Sequence, residues 1–270
     1  MEFRKLFVII FALLFSCNEK EENPIMPVSA KPDCLPSAIS TKSTQHHYEY
    51  DSDRRIVKSD DGLGVQTKYE YSGDRLQKLT YYHNNDESYV LDIDEIQYNS
   101  SGLWTRHIRT MSGEEDIAEY DSKGNRTKIT STKNGKTYRS YAFEYAGGNL
   151  VKLSNTYHND DGSESFTLFY SFEYDLFKEN KLAFFEQYVQ RGYLSGPRLG
   201  HESTPSKNLM TAAHTHASKD GAITRTANFE YEFNEKGFPT SIRFSGGDLN
   251  EDGVTDENDV GQYFYTYDCI

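Results

Sequence analysis

The sequence predicts an all-β fold: an antiparallel meander of hairpins that forms a closed or nearly closed barrel-like sheet. Three observations predict it. A hairpin pattern recurs along most of the chain, aromatic residues alternate with polar ones inside each copy, and the segments between strands are rich in turn-forming residues. The 270-residue chain is long enough for a sizeable core. With 21 Tyr, 16 Phe and a single Trp, tyrosine and phenylalanine are expected to supply much of that core.

Each copy of the repeat has an apolar–polar–aromatic strand, a turn rich in Gly, Asn, Asp and Ser, and a second strand carrying Leu or Ile. A period of two places one face of each strand inward, and such turn residues supply the positive φ angles that hairpins need. Seven copies predict about fourteen strands and almost no helix. The copies are YEYDSDRRIVK from Tyr48, YEYSGDRLQKL from Tyr69, IQYNSSGLWTR from Ile96, AEYDSKGNRTKI from Ala118, FEYAGGNLVKL from Phe143, FEYDLFKENKL from Phe172 and YEFNEKGFPTSI from Tyr231.

Residues 1–17 are predicted to be a lipoprotein signal peptide. Two basic residues precede an apolar run, Leu6 to Phe15, that is too short to cross a membrane as a helix. The sequence LFSC that ends this segment resembles the lipobox of bacterial lipoproteins, so Cys17 is the expected lipidated N-terminus. An ordinary signal peptide with a chance cysteine is the alternative. More than one acyl chain on Cys17 would give firm anchorage.

Residues 18–43 are predicted to be a flexible tether, because they are rich in Pro, Ser and charge and have no apolar period. The β-repeat domain then covers residues 44–270. Within the tether, the sequence KEE at positions 20–22 resembles the acidic export signal of Bacteroidetes surface lipoproteins. This resemblance favours an outer-membrane lipoprotein that faces outward, with the periplasmic leaflet as the alternative.

Two cysteines remain once Cys17 is lipidated: Cys34 in the predicted tether and Cys269 at the penultimate position. Outside the cytoplasm they could pair and clamp the tether to the last strand. Two unpaired thiols are the alternative. The net charge of −13 disfavours nucleic acid and anionic lipid as partners. Contact with a membrane is therefore expected through the lipid anchor only.

The Tyr-Asp-x-x-Gly units, clearest at Tyr120 to Gly124, resemble the YD repeats of RHS-type shell proteins. The whole layout of lipobox, tether, hairpins and a late SKNL segment (residues 206–209) is similar to a Bacteroidetes lipoprotein family of unknown function with a porin-like β-fold. That resemblance implies a fold and a location but no activity. Individual copies depart from the pattern: Tyr71 and Tyr145 lack the following Asp, and the Tyr174 copy lacks the turn Gly.

The acidic segment 248–259 is predicted to bind a structural calcium ion. Its oxygen-bearing residues fall at the ligand positions of an EF-hand-type loop, Gly253 sits at the sharp turn, and Asp at the last position resembles dockerin loops. The flanks read as strands, so no conformational switch is expected. A solvated acidic turn is the alternative. The predicted ligands are Asp248, Asn250, Asp252, Asp256 and Asp259, with the backbone carbonyl of Val254.

The repeat is lost between about residues 190 and 210, and long irregular segments often carry function. If the domain binds a ligand, Tyr193, Arg198 and His201 are the first candidates. His214 and His216 share one strand face but lack an evident third metal ligand, which favours surface histidines. No nucleophile elbow, P-loop or Cys–His motif occurs.

The sequence therefore favours a non-catalytic module that displays a calcium-stabilised β-domain and binds a glycan or a protein. A secreted glycan-active hydrolase and a structural component of an envelope shell are the alternatives. Two carboxylates facing each other across a cleft would favour the hydrolase.

Overall fold

The computed structural model describes residues 33–84, 86–182, 206–246 and 260–269. Within these ranges the chain forms sixteen strands and no helix, which confirms the all-β prediction. Among the residues in these ranges, no helix is long and apolar enough to cross a membrane. The strands are β1 Cys34–Ser40, β2 Gln45–Tyr50, β3 Ile56–Asp60, β4 Val65–Ser72, β5 Arg75–His83, β6 Asp86–Tyr98, β7 Trp104–Arg109, β8 Glu114–Tyr120, β9 Arg126–Lys133, β10 Lys136–Ala146, β11 Asn149–His158, β12 Glu164–Glu179, β13 Asn208–His216, β14 Ile223–Phe233, β15 Pro239–Ser245 and β16 Val260–Cys269.

The sheet is a closed antiparallel barrel. Every strand pairs with its neighbours in sequence, and β1 pairs with β16 to close the ring. The expectation of about fourteen strands was close to the sixteen observed. The seam strands β1 and β16 lie outside the seven hairpin copies, and so does β13, because the copy from Phe172 contributes only β12.

The prediction that the tether extends to residue 43 is wrong, because β1 begins at Cys34. Its residues are largely buried, with Leu35 and Ile39 only 3% and 1% exposed. A proline and two serines make the segment read as a linker. Pro36 is tolerated because the pairing with β16 shifts register between Pro36 and Ala38, where a strand can accommodate a residue without an N–H donor.

The strands alternate in direction, so their turns collect at two ends of the barrel. We call the end where β1 begins the N-terminal rim. It also holds Cys269 and the turns at 51–55, 73–74, 99–103, 121–125, 147–148 and 234–238. The other end, the opposite rim, holds the turns at 41–44, 61–64, 110–113, 134–135, 159–163 and 217–222.

Two hydrophobic clusters occupy the interior. Trp104 and Phe229 pack against both and connect them. Burial raises the pKa of Tyr69 to about 12, while its hydrogen bond with Ser59 acts in the other direction. The first cluster contains Ile39, Tyr48, Ile56, Tyr69, Leu76, Leu79, Ile96, Leu182, Ile242 and Tyr265. The second contains Ala118, Ile129, Tyr141, Phe143, Leu150, Leu153, Phe172 and Ala213.

The repeated tyrosines link successive hairpins. At the N-terminal rim, each donates its hydroxyl proton to a backbone carbonyl at the start of the preceding strand, over 2.5–2.8 Å. Each bond joins two strands that belong to different hairpins at this rim. The donor–acceptor pairs are Tyr50–Pro36, Tyr71–Ile56, Tyr98–Leu76, Tyr120–Trp104, Tyr174–Leu150, Tyr231–Met210 and Tyr267–Pro239.

The Tyr-Asp-x-x-Gly pattern also encodes a turn. Asp121 Oδ1 accepts the backbone N–H of Asn125 at 2.9 Å, and Gly124 has a φ of 82° that disfavours other residues. Turns that start at Asp51, Asn99 and Asn234 use the same side-chain bond. The Tyr71 and Tyr145 copies lack the Asp because they end in two-residue turns, 73–74 and 147–148, which do not need it.

The outer wall carries charge around the barrel. Acidic and basic side chains pair across neighbouring strands, and exposed pairs of this kind contribute little to stability. These pairs place charged side chains on the outer wall, whereas a barrel wall that faces lipid needs an apolar band. The pairs are Glu49–Lys58 at 3.8 Å, Glu70–Lys78 at 3.3 Å, Glu119–Lys128 at 3.5 Å, Glu230–Arg243 at 3.6 Å, and Arg106–Glu115.

Candidate functional site at the rims of the barrel

The predicted calcium ligands, from Asp248 to Asp259, lie outside the described residues. The chain leaves the described part at Gly246 and returns at Val260, the first residue of β16. Both positions belong to the opposite rim. Among residues that the structure describes, no group of three or more His, Cys, Asp or Glu has the arrangement to hold a metal ion.

The predicted ligand residues Tyr193, Arg198 and His201 also lie outside the described residues, as does Cys17. The chain leaves at Leu182 and returns at Ser206, and both positions belong to the N-terminal rim. The two candidate segments therefore start from opposite ends of the barrel. Sequence order alone gave no indication of this separation.

Cys34 and Cys269 face each other in the seam between β1 and β16. They are register partners, with Cα atoms 4.1 Å apart, and a disulfide joins their sulfur atoms. The sequence separation of 235 residues means that this bond encloses almost the whole domain. The disulfide would hold the seam together at the N-terminal rim, where the residues before Cys34 join the barrel.

The interior also contains a polar network that sequence reasoning missed. Asp94 is fully buried, at 0% exposed, and its Oδ2 lies 3.0 Å from His107 Nε2. Tyr81 donates its hydroxyl proton to the same oxygen at 2.9 Å. On the other side of the ring, His107 Nδ1 lies 3.7 Å from Asp116 Oδ2, and Ser131 donates to Asp116 Oδ1 at 2.5 Å.

Arg109 balances part of this negative charge. Its Nη2 lies 3.6 Å from Asp116 Oδ2, and its Nη1 donates to Glu114. Burial lowers the pKa of Arg109, but the carboxylates of Asp116, Glu114 and Asp94 outweigh burial and the net shift is upward. Asp94 and Asp116 thus flank a histidine inside the wall and do not face a cleft that a sugar could enter. This network fits a structural role within the core.

A polar groove of 420 Å³ lies on the outer wall at the opposite rim, between β9, β10 and the turn that follows β11. Cations, anions and hydroxyl groups line it together. Phe166 is not part of its lining; it stacks on Tyr157 between β11 and β12, with ring centroids 4.4 Å apart, and remains 52% exposed. The lining residues are Lys128, Thr130, Lys136, Thr137, Ser140, His158, Asp160, Asp161 and Gly162.

Two serine–histidine pairs also occupy the outer wall. Ser140 Oγ lies 2.9 Å from His158 Nε2, and the Nδ1 of that ring is buried without a partner. Ser171 Oγ lies 2.7 Å from His216 Nε2, and His216 Nδ1 lies 3.1 Å from the Gly221 carbonyl oxygen. The expectation of a surface histidine fails for His214, which is 9% exposed and hydrogen-bonds with Thr226.

No protein-family model matches the chain. No curated protein matches it either. A porin-like protein from Bacteroides vulgatus has a similar fold: TM-score 0.50 at 11% identity, covering 87% of this chain and 100% of that one. A porin-like protein from Bacteroides uniformis gives a TM-score of 0.48 at 15% identity, covering 88% and 98%. The first of these two likenesses supports the predicted porin-like β-fold.

A weaker likeness connects the chain to the Photorhabdus luminescens Tc holotoxin pore. The TM-score is 0.32 at 10% identity, and the match covers 75% of this chain and 9% of that chain. A similarity of this size does not relate the two proteins. The resemblance to YD repeats therefore continues to rest on the turn and tyrosine pattern of the sequence.

Proposed function

We propose that the protein is a cell-envelope lipoprotein, anchored through Cys17 to the outer membrane and facing outward, whose calcium-stabilised barrel is a non-catalytic binding module. The polar groove at the opposite rim carries this proposal, because that rim is the end farther from the entry of the chain. A module tethered at the N-terminal rim would present the groove away from the membrane.

The groove suits a polar ligand such as a glycan. Its hydroxyl, ammonium and carboxylate groups can exchange hydrogen bonds with sugar hydroxyls. The charged outer wall supports a soluble domain held by a lipid, since a membrane-spanning barrel needs an apolar band. The predicted calcium loop would order the same rim.

A binding screen tests this function. The purified protein would be applied to glycans and mucins with calcium and again with EDTA, followed by variants. Lys136→Ala combined with Asp160→Ala should weaken glycan binding at least tenfold, whereas Lys236→Ala at the N-terminal rim should leave it unchanged. Equal glycan binding by the wild type, the double variant and Lys236→Ala would show that the groove is not the binding site. If the folded protein binds none of the glycans or mucins, that result would favour a protein ligand or a structural role in an envelope shell.

One observation favours the alternative of a hydrolase. A carbonyl oxygen can only accept, so His216 Nδ1 carries a proton in the contact with Gly221, and in that tautomer Nε2 accepts from Ser171. That arrangement polarises a serine hydroxyl for attack on an ester carbonyl. The proton would pass to His216 and then to the leaving alcohol, and water would release the acyl group from Ser171.

A fluorophosphonate probe distinguishes the two candidates. Attack by Ser171 would form a bond from Oγ to phosphorus and expel fluoride. Hydrolase function requires labelling that Ser171→Ala abolishes and Ser140→Ala preserves, since Ser140 faces a histidine whose Nδ1 has no partner. Absence of labelling in the folded protein would leave the binding module as the function.

A further inference from the structure

The N-terminal rim carries an exposed apolar bulge in strand β12. Asp175 pairs with Leu209 and Glu179 pairs with Asn208, so residues 176–178 loop out of the ladder. Phe177 is 100% exposed and Leu176 is 70% exposed, the highest values among the large apolar side chains that the structure describes. Two consecutive apolar residues thus project from the rim into solvent.

Hydrogen bonds hold the backbone of this bulge in place. Asn208 Nδ2 donates to the carbonyl oxygens of Leu176 and Lys178, both at 3.2 Å. Asn208 is itself buried and is held by Asn149 through two further bonds, of 2.9 and 3.0 Å. The backbone N–H of Phe177 donates to Asp175 Oδ1 at 3.0 Å. The exposure therefore belongs to a fixed backbone.

The bulge lies on the same rim at which the chain enters the barrel. Residues 18–32 connect Cys17 to the first described residue, and an extended chain of that length spans at most roughly 50 Å. An anchor at Cys17 would keep this rim near the lipid surface. Lys178 and Lys181 follow the apolar pair in sequence, with Asp175 and Glu179 beside them, and basic residues commonly lie where an apolar side chain enters the headgroup region.

The negative charge of the opposite rim also fits an orientation in which the N-terminal rim faces the lipid. The opposite rim carries exposed carboxylates on several loops, and anionic headgroups would repel them. They include Asp86, Glu87, Asp160 and Asp161, whereas carboxylates of the N-terminal rim such as Asp53 and Asp121 lie near basic side chains. The apolar bulge and these acidic loops therefore lie at opposite ends of the barrel.

We propose that Leu176 and Phe177 insert into the interfacial region of the bilayer that carries the anchor. The contact would hold the N-terminal rim against lipid and aim the opposite rim outward. It rests on the proposed anchoring through Cys17, and it adds a second membrane contact where the sequence predicted the lipid anchor only. Burial of apolar side chains at the boundary of headgroups and acyl chains supplies the driving force.

Vesicles bearing a maleimide lipid test the contact directly. With Cys34 and Cys269 in a disulfide, Cys17 is the free thiol of residues 17–270, so it can be coupled chemically to phosphatidylcholine vesicles. Phe177→Trp and Met111→Trp are the matched probes, because Met111 is 62% exposed at the opposite rim. Brominated acyl chains in the vesicles quench a tryptophan only where it enters the bilayer.

We expect brominated lipid to quench Phe177→Trp at least twofold more than Met111→Trp, whereas the native Trp104 alone shows little change. Equal quenching of the two probes, or preferential quenching of Met111→Trp, would overturn the proposal. Because Cys17 is coupled to the vesicles chemically, this result does not depend on whether cells lipidate it. Lipidation is tested separately in cells, by comparing the incorporation of an alkyne fatty acid into the wild type and into Cys17→Ser.

Discussion

The hydroxyl of Tyr98 on β6 donates a 2.6 Å hydrogen bond to the carbonyl oxygen of Leu76 on β5. Equivalent bonds connect six further strand pairs around the barrel. Each joins one hairpin of the N-terminal rim to the hairpin before it. The tyrosine of the repeat therefore has two roles, as a core side chain and as a link between units.

Replacing Tyr98 with phenylalanine should destabilise the barrel by about 1–2 kcal/mol, because the Leu76 carbonyl loses its partner while the ring keeps its packing. Chemical denaturation measures the loss. Tyr89→Phe is the matched control, since Tyr89 is 57% exposed and its replacement should change stability little. Equal effects of the two substitutions would show that the hydroxyl bond contributes nothing.

Loss of the disulfide should weaken the seam between β1 and β16. Because the bond encloses 235 residues, the chain-entropy model gives a stabilisation of roughly 5 kcal/mol. Cys34→Ser with Cys269→Ser should therefore lower the melting temperature markedly, whereas Cys17→Ser should not change it. Melting curves with and without reductant provide the measurement, and a wild-type curve indifferent to reductant would contradict the prediction.

The turn at 121–125 should make stability depend on acid pH. Burial acts to raise the pKa of the Asp121 carboxyl, but hydrogen bonds from Asn125 and from the Lys123 backbone outweigh it and hold the pKa below its ordinary value of 3.8. A lowered pKa contributes stability that is present above the unfolded-state pKa and is lost as the pH falls through the folded-state pKa.

Asp121→Asn tests this dependence, because Asn occupies the same turn position at residues 99 and 234. The variant should keep the turn and lose part of the decline in unfolding free energy below pH 4. Denaturant titrations between pH 2.5 and 7 measure both proteins. An unchanged acid slope in the variant would disprove the contribution of Asp121.

Local chemistry was the part of the fold that could be predicted. Asp121 and Gly124 specify their turn through bonds within five residues, so the sequence alone identifies it. Strand β1 could not be identified in the same way, because Pro36 and its serines suit a linker and only pairing with β2 and β16 makes them a strand. Closure of the barrel depends on the long-range pairing of β1 with β16.

The functional surfaces were harder to predict for the same reason. Asp94 and His107 meet across two strands whose register shifts at a bulge between Gln97 and Tyr98, so sequence spacing does not reveal the contact. The groove combines side chains from β9, β10 and β11, which come together only after the meander forms. Residues of the Tyr174 copy form the exposed bulge where a turn was expected.

Calcium removal should destabilise the protein. At about 2 mM calcium and a dissociation constant of about 10⁻⁴ M, binding would contribute about 2 kcal/mol. EDTA should therefore lower the melting temperature of the wild type. Asp252→Asn with Asp256→Asn should abolish the difference, whereas Asp160→Asn with Asp161→Asn, an acidic pair elsewhere on the same rim, should preserve it. Identical wild-type curves with calcium and with EDTA would reject the predicted ion.

Orientation on the cell is tested most directly by labelling Met111→Cys with a membrane-impermeant maleimide in intact cells. Met111 lies at the opposite rim and is 62% exposed, and the introduced thiol would be free once Cys17 is lipidated and Cys34 is paired with Cys269. An outward-facing binding module predicts strong labelling without permeabilisation. Labelling that appears only after the outer membrane is opened would place the protein on the periplasmic leaflet and contradict surface display.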